Sequence, residues 1–307
     1  VEDGFRGTII LENVSLAGER GIPCIDIGKK CNVNLQIAGE NELRTGGIRV
    51  PDSSVLTIVG DGNLTINLNS GKYYGIGNSL DEYHGELNFY QDGGIIINAN
   101  GMKGVGIGSG LGGVINIKRG HYELDMKGQE GACIGSVNGD SELFIEYCDM
   151  DIYSGISNGT IIGSVNGDAD IKLENISAKL QGAGNVITGI GTIAGNSCMV
   201  RLENVNISSN IRAKECYGIG CRAGRTDIYI GYAAVKSVVQ GKSAVAFGNS
   251  VMSAKLYCSN ADVETNAVTE FNSDIGALEK NIQLENGRAE FILNGQEVKR
   301  QILAARL

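Results

Sequence analysis

The sequence predicts an all-β fold, a single-stranded right-handed parallel β-helix of about ten coils with roughly 28 residues per coil. Three observations carry this reading. The hexapeptide Gly-Ser-Val-Asn-Gly-Asp stands at Gly135–Asp140 and returns unchanged at Gly163–Asp168, 28 positions on. A short triplet ending in an apolar residue and Gly recurs at nearly the same interval through most of the chain. Between the triplets, apolar and polar residues alternate with the period of a half-buried strand, and helical spacing is absent.

The triplets are Gly75-Ile76-Gly77, Gly106-Ile107-Gly108, Cys133-Ile134-Gly135, Ile161-Ile162-Gly163, Gly189-Ile190-Gly191, Gly218-Ile219-Gly220, Ala246-Phe247-Gly248 and Asp274-Ile275-Gly276. Steps between their central residues are 31, 27, 28, 28, 29, 28 and 28. A fixed period of this size marks a solenoid. Residues 1–70 are expected to form the N-terminal coils, because Ile48 lies 28 before Ile76 and carries the register back. Residues 71–293 are the regular coils. Each has an alternating strand, as in Leu143-Phe144-Ile145, Ile171-Lys172-Leu173, Val200-Arg201-Leu202, Ile228-Tyr229-Ile230 and Leu256-Tyr257-Cys258. A further short strand follows, as in Tyr122–Met126, Asp151–Tyr153 and Val205–Ile207. Residues 294–307 are expected to close the open end as a short helical cap, with Val298, Ile302, Leu303 and Leu307 on one side. The whole of 1–307 then forms one β-helix domain. At about 4.8 Å per coil the rod is roughly 48 Å long, and its right-handedness follows from the usual hand of parallel connections.

Composition narrows the function. The net charge of −9 argues against a nucleic-acid backbone or an anionic membrane as partner. No apolar run approaches the roughly 18 to 20 residues that span a bilayer. The start, Val1-Glu2-Asp3, has no basic or apolar leader, as for a chain whose export signal is removed or was never there. None of the eight cysteines forms a Cys-x-x-Cys, and only His84 and His121 exist to complete a zinc site. The cysteines are read as small buried hydrophobes, with Cys216 and Cys221 close enough in sequence to pair.

In a solenoid, residues one period apart lie above one another, so chemistry is read by columns. Asn13, Asn175, Asn204, Asn260 and Asn286 each end a strand and read as a structural ladder at a bend that needs left-handed backbone. The outward column of the alternating strand reads Asn88, Asn116, Phe144, Lys172, Arg201, Tyr229, Tyr257 and Gln283. Two residues on run Tyr90, Lys118, Glu146, Glu174, Glu203, Gly231, Ser259 and Glu285. The stacked Glu146, Glu174 and Glu203 repel and need the countercharge of Lys172 and Arg201. This face reads either as a solvated, salt-bridged sheet or as a flat glycan platform, where Phe144, Tyr229 and Tyr257 stack on sugars and the charged groups bond hydroxyls.

The repeated hexapeptide is one bend in consecutive coils, which stacks Asp140 on Asp168 with Asp170 just beyond. Stacked carboxylates can recruit Ca²⁺ through Asp140 and Asp168, with backbone carbonyls of the Asn-Gly turns completing an oxygen shell. In a catalytic alternative, a polysaccharide lyase or glycoside hydrolase, Asp140, Asp168 and Asp170 take the acid roles. No cofactor is required otherwise. The longest step places extra residues at Ser79–Glu86, where His84 is expected in an exposed bulge. Gly75-Ile76-Gly77 and its relatives are not phosphate loops, because no helix follows them.

The run Gly7–Ile66, "GTIILENVSLAGERGIPCIDIGKKCNVNLQIAGENELRTGGIRVPDSSVLTIVGDGNLTI", resembles a repeat of bacterial surface proteins, and Gly106–Gly120, "GIGSGLGGVINIKRG", is similar to their coils. Those are the carbohydrate-binding β-helix domains of the pectate-lyase-like superfold. The resemblance implies a secreted or cell-surface bacterial protein with polysaccharide as ligand and Ca²⁺ as a further one. The expected function is a non-catalytic glycan-binding, adhesive module. Polysaccharide lyase or hydrolase is the alternative, and a spacer within a larger surface protein, joined to other domains, is the second.

Overall fold

Alternation places the apolar residues inside. In Ser141–Glu146 the side chains of Ser141, Leu143 and Ile145 are buried while Glu142 is exposed, and Ala169–Glu174 repeats the pattern one coil on. The computed structural model describes residues 1–271, 282–293 and 296–303 and finds strands, turns and bends there but no helix. The chain winds as a right-handed parallel β-helix of about ten coils. Each regular coil has three faces. The first is a short strand such as Ser141–Glu146; the second and third are walked by one long bent strand such as Cys148–Ser164. Every neighbouring coil pairs in parallel, Ser141–Glu146 with Ala169–Glu174 and Asp149–Ser164 with Ser177–Thr192. Spacing is tighter at the N-terminus, where Asn32 pairs with Val55, 23 residues on. One continuous core cluster follows the axis from Leu11 to Phe291.

The triplets form the spine of the third face. Ile48, Ile76, Ile107, Ile134, Ile162, Ile190, Ile219 and Phe247 are stacked partners in successive coils, and all are fully buried. The Gly that follows each Ile from Ile76 to Ile219 is required. Gly77, Gly108, Gly135, Gly163, Gly191 and Gly220 have φ between 130° and 144°, a region disfavoured for side-chain-bearing residues. A Cβ at any of them would lie 1.9–2.1 Å from the carbonyl oxygen of the equivalent Gly in the next coil. The triplet Asp274-Ile275-Gly276 lies outside the described residues.

The expected cap at 294–307 lies in part outside the described residues, at Asn294, Gly295 and 304–307; between them Gln296–Leu303 runs as a strand antiparallel to Ile282–Leu293. The last coil offers a row of unpaired backbone groups, and an extended segment satisfies them directly. His84 is buried rather than exposed, at 4%. It bridges to Pro51, its Nδ1–H donates to the Gly85 carbonyl at 2.5 Å, and its ring fills the space that a side chain at Gly113 would need. Burial pushes its pKa down to about 4, against the weaker opposing effect of that hydrogen bond.

Gly163→Ala is expected to lower stability by about 3 kcal/mol or more, from strained φ plus steric overlap. Gly71→Ala is the control, since nothing lies within 4 Å of its Cβ and surface changes of this kind stay within about 0.5 kcal/mol. Urea melts of both variants check this. For His84, the unfolded chain takes up a proton near pH 6.5 and the folded chain only near 4. Its contribution is therefore complete above pH 6.5 and lost as the pH falls towards 4, by about 3 kcal/mol. Unfolding free energies at pH 7 and pH 4.5 should differ more for wild type than for His84→Asn, which lacks this titration.

Candidate functional site

Each letter of the repeated hexapeptide has a structural partner. Gly135 and Gly163 belong to the glycine column. Ser136 Oγ donates to the Gly139 carbonyl at 2.5 Å, and Ser164 Oγ donates to the same oxygen at 2.7 Å. Val137 and Val165 enter a small second core with Leu80, Val105, Ala132 and Ile193. Asn166 donates its side-chain amide to Asn138 at 3.1 Å. Gly139 is needed because a Cβ would strike the Leu111 carbonyl at 1.7 Å. The Asp140 carboxylate accepts the Asp168 N–H at 2.8 Å, and the Asp168 carboxylate accepts the N–H groups of Asn196 at 2.7 Å and Ser197 at 3.0 Å. The two acids thus meet at one bend, each facing backbone donors of the next coil. Asp170 is on the sheet face instead, 2.7 Å from Arg201. Among the described residues no three His, Cys, Asp or Glu side chains cluster as a metal site.

The first face carries the predicted platform in the predicted order. Asn116, Phe144, Lys172, Arg201, Tyr229 and Tyr257 are partners in successive coils. Phe144 is half-buried at one end. Tyr229 and Tyr257 form a tilted ring pair at the other, with centroids 6.4 Å apart and planes at 48°. The Tyr257 hydroxyl donates to Glu285 at 2.5 Å, which holds the phenol above its ordinary pKa. Between the aromatics lies an open depression of about 500 Å³ lined by Lys172, Glu174, Met199, Arg201, Glu203 and Tyr229.

Two of the three stacked glutamates find countercharge, one of them from a side chain other than those expected. Glu146 pairs with Lys118 at 2.6 Å and Glu174 with Lys172 at 2.7 Å. Arg201 turns to Asp170 in the preceding coil and touches the Met199 sulfur, so it does not neutralise the glutamate column. A guanidinium on its long stem reaches across the sheet as easily as along it. A second departure is local. A register shift around Lys118 sets Tyr90 opposite Arg119, which also pairs with Asp92 at 3.1 Å. Tyr90 and Lys118 are thus out of step in the column.

The asparagine column is confirmed as left-handed backbone: Asn13, Asn175, Asn204, Asn260 and Asn286 have φ of 50–54°. The column also contains two residues that sequence reasoning missed, Tyr147 and Tyr232, with φ of 52° and 47°. Their signal was the register itself, since each lies 28 residues from an Asn of the column, Asn175 or Asn204. All eight cysteines are free thiols, Cys216 and Cys221 included, and only Cys24 is not fully buried. Burial pushes the thiols of Cys133, Cys148, Cys216 and Cys258 up to about 12, which makes them hydrophobic packing rather than nucleophiles.

No protein-family model matches the chain, and no curated protein or solved structure matches it. The architecture is that of the right-handed parallel β-helices, consistent in general with the pectate-lyase-like superfold. Among the described residues no helix is long and apolar enough to cross a membrane.

Asp168→Ala removes the acceptor of two backbone N–H groups at a partly exposed bend. The expected cost is about 1 to 2 kcal/mol, read as a lower urea midpoint with an unchanged slope. A melting scan of wild type with millimolar Ca²⁺ and with chelator asks separately whether the same carboxylates also take a cation, which would raise the midpoint with concentration.

Proposed function

We propose that the chain is a glycan-binding module of a secreted or cell-surface protein, using the first face of the solenoid. The observation that carries this reading is the Tyr229–Tyr257 ring pair beside the depression lined by Lys172, Glu174, Arg201 and Glu203. Aromatic faces stack on the C–H surfaces of sugars, and paired charged groups present donors and acceptors to hydroxyls. The Lys172–Glu174 and Arg201–Asp170 pairs cancel one another while Glu203 adds a carboxylate to the same depression, which suits a neutral polar polymer better than a polyanion. Stacked strands hold these side chains in place before a ligand arrives, so little ordering entropy opposes binding. The carboxylates of Asp140 and Asp168 bond backbone N–H groups and that of Asp170 meets Arg201. That engagement favours binding over the acid chemistry a lyase or hydrolase would need.

A pull-down against a panel of insoluble polysaccharides tests the reading. Tyr229→Ala and Tyr257→Ala should each weaken retention by several-fold to ten-fold, as expected of about 0.5–1.5 kcal/mol per ring, without lowering the melting temperature by more than a few degrees. Phe144→Ala, being half-buried, should weaken retention less. Retention unchanged in the Tyr229→Ala, Tyr257→Ala double variant would remove this face from the account.

A further inference from the structure

A straight groove of about 1230 Å³ runs along the bend between the first and second faces, over six coils. Its floor is apolar, made by the buried Ile176, Val205, Ala233 and Ala261. One wall is the left-handed column, which in coil order reads Tyr147, Asn175, Asn204, Tyr232, Asn260, Asn286. Ring, amide, amide, ring, amide, amide is a repeat of three coils, roughly 14 Å at the coil spacing. Backbone bonds from the N–H groups of Tyr147, Asn175, Asn204 and Tyr232 to Glu174, Glu203, Gly231 and Ser259 of the next coil fix its shape.

The two tyrosines contradict local preference. Left-handed backbone favours Gly and Asn, and a bulky aromatic residue there is an outlier. Asn at all six positions would serve the fold better. The rings gain nothing from burial either, since Tyr147 is 62% and Tyr232 is 64% exposed, more than any other described aromatic side chain. The amides between them are half used. The Asn204 side-chain amide donates to Asn175 Oδ1 at 2.5 Å, and Asn175 Nδ2 and Asn204 Oδ1 have no further hydrogen bond among the described residues. Among the described residues the one cation lining the groove, Arg288, is held by Asp262 at 2.8 Å, while Asp149 carries a carboxylate at the other end.

We infer that this groove is a second binding site, for a neutral polysaccharide chain lying extended along the solenoid axis. Tyr147 and Tyr232 stack on sugar rings three coils apart, and the Asn175 and Asn204 amides bond the hydroxyls between them. A straight wall fits an extended chain rather than a coiled one, and the uncompensated carboxylate disfavours polyuronates. The site is distinct from the Tyr229–Tyr257 face and does not depend on it.

Isothermal titration of the whole chain with cellohexaose, N-acetylchitohexaose, maltohexaose and hexagalacturonate tests this. Cellohexaose or N-acetylchitohexaose should bind, with maltohexaose at least ten-fold weaker and hexagalacturonate weaker still. The Tyr147→Asn, Tyr232→Asn double variant should lose binding ten-fold or more while its melting temperature holds or rises, because Asn accepts the backbone that Tyr strains. The Tyr229→Ala, Tyr257→Ala double variant should keep that binding. Loss only in the second pair would overturn the groove and support the sheet face. Unchanged affinity in the asparagine variant, no binding of either extended neutral hexasaccharide, or preference for hexagalacturonate would each overturn it.

Discussion

The structure depends on one close approach. At the third face, the α-carbons of Gly77, Gly108, Gly135, Gly163, Gly191 and Gly220 sit so near the carbonyl of the next coil that no side chain fits between them. The isoleucine beside each glycine is thereby forced into the core directly above its counterpart. A slip of one residue would turn every buried side chain outward, and this column makes the slip sterically impossible. The period of 28 is the length of chain needed to return to that contact. Insertions are accommodated elsewhere, as in the loop between Gly77 and Glu86 where the step grows to 31.

With the third face committed to packing, recognition chemistry is left to the outward columns of the first face and to the bend after it. The two differ in how charge is handled. On the first face, Lys118, Lys172 and Arg201 each sit within 2.7 Å of a carboxylate. Exposed pairs of this kind add little stability, and their consequence is that each of these cations is neutralised locally between the aromatic ends. At the bend the wall is amide and ring, over a buried apolar floor. In both places one coil's side chain gains its neighbours from the coils above and below, so sites in this fold are extended along the axis by construction.

The solenoid was legible because its constraint is periodic. Seven near-equal steps between triplets, the link from Ile48 to Ile76 and the left-handed asparagines are all repeated signals, and the strand pairing follows the triplets from Ile48 to Phe247. What escaped is aperiodic or sideways. The partner of Arg201 lies diagonally, one coil back, and column reading looks only vertically. The two register shifts on either side of Arg119 have no counterpart in the other parallel pairs of the described coils. His84 is buried by one contact with Gly113 in a loop that occurs once. Tyr147 and Tyr232 were within reach of the register, but attention to Asn as a residue type hid the position it occupies.

Native-state hydrogen exchange read by mass spectrometry tests the central claim most directly. If the glycine column sets the frame, amides of the third face from Ile76 to Phe247 should be the slowest to exchange, in blocks spaced by about 28 residues, and should open together near the global unfolding free energy. Third-face amides exchanging faster than those of the first face, or opening coil by coil with unrelated free energies, would contradict the account.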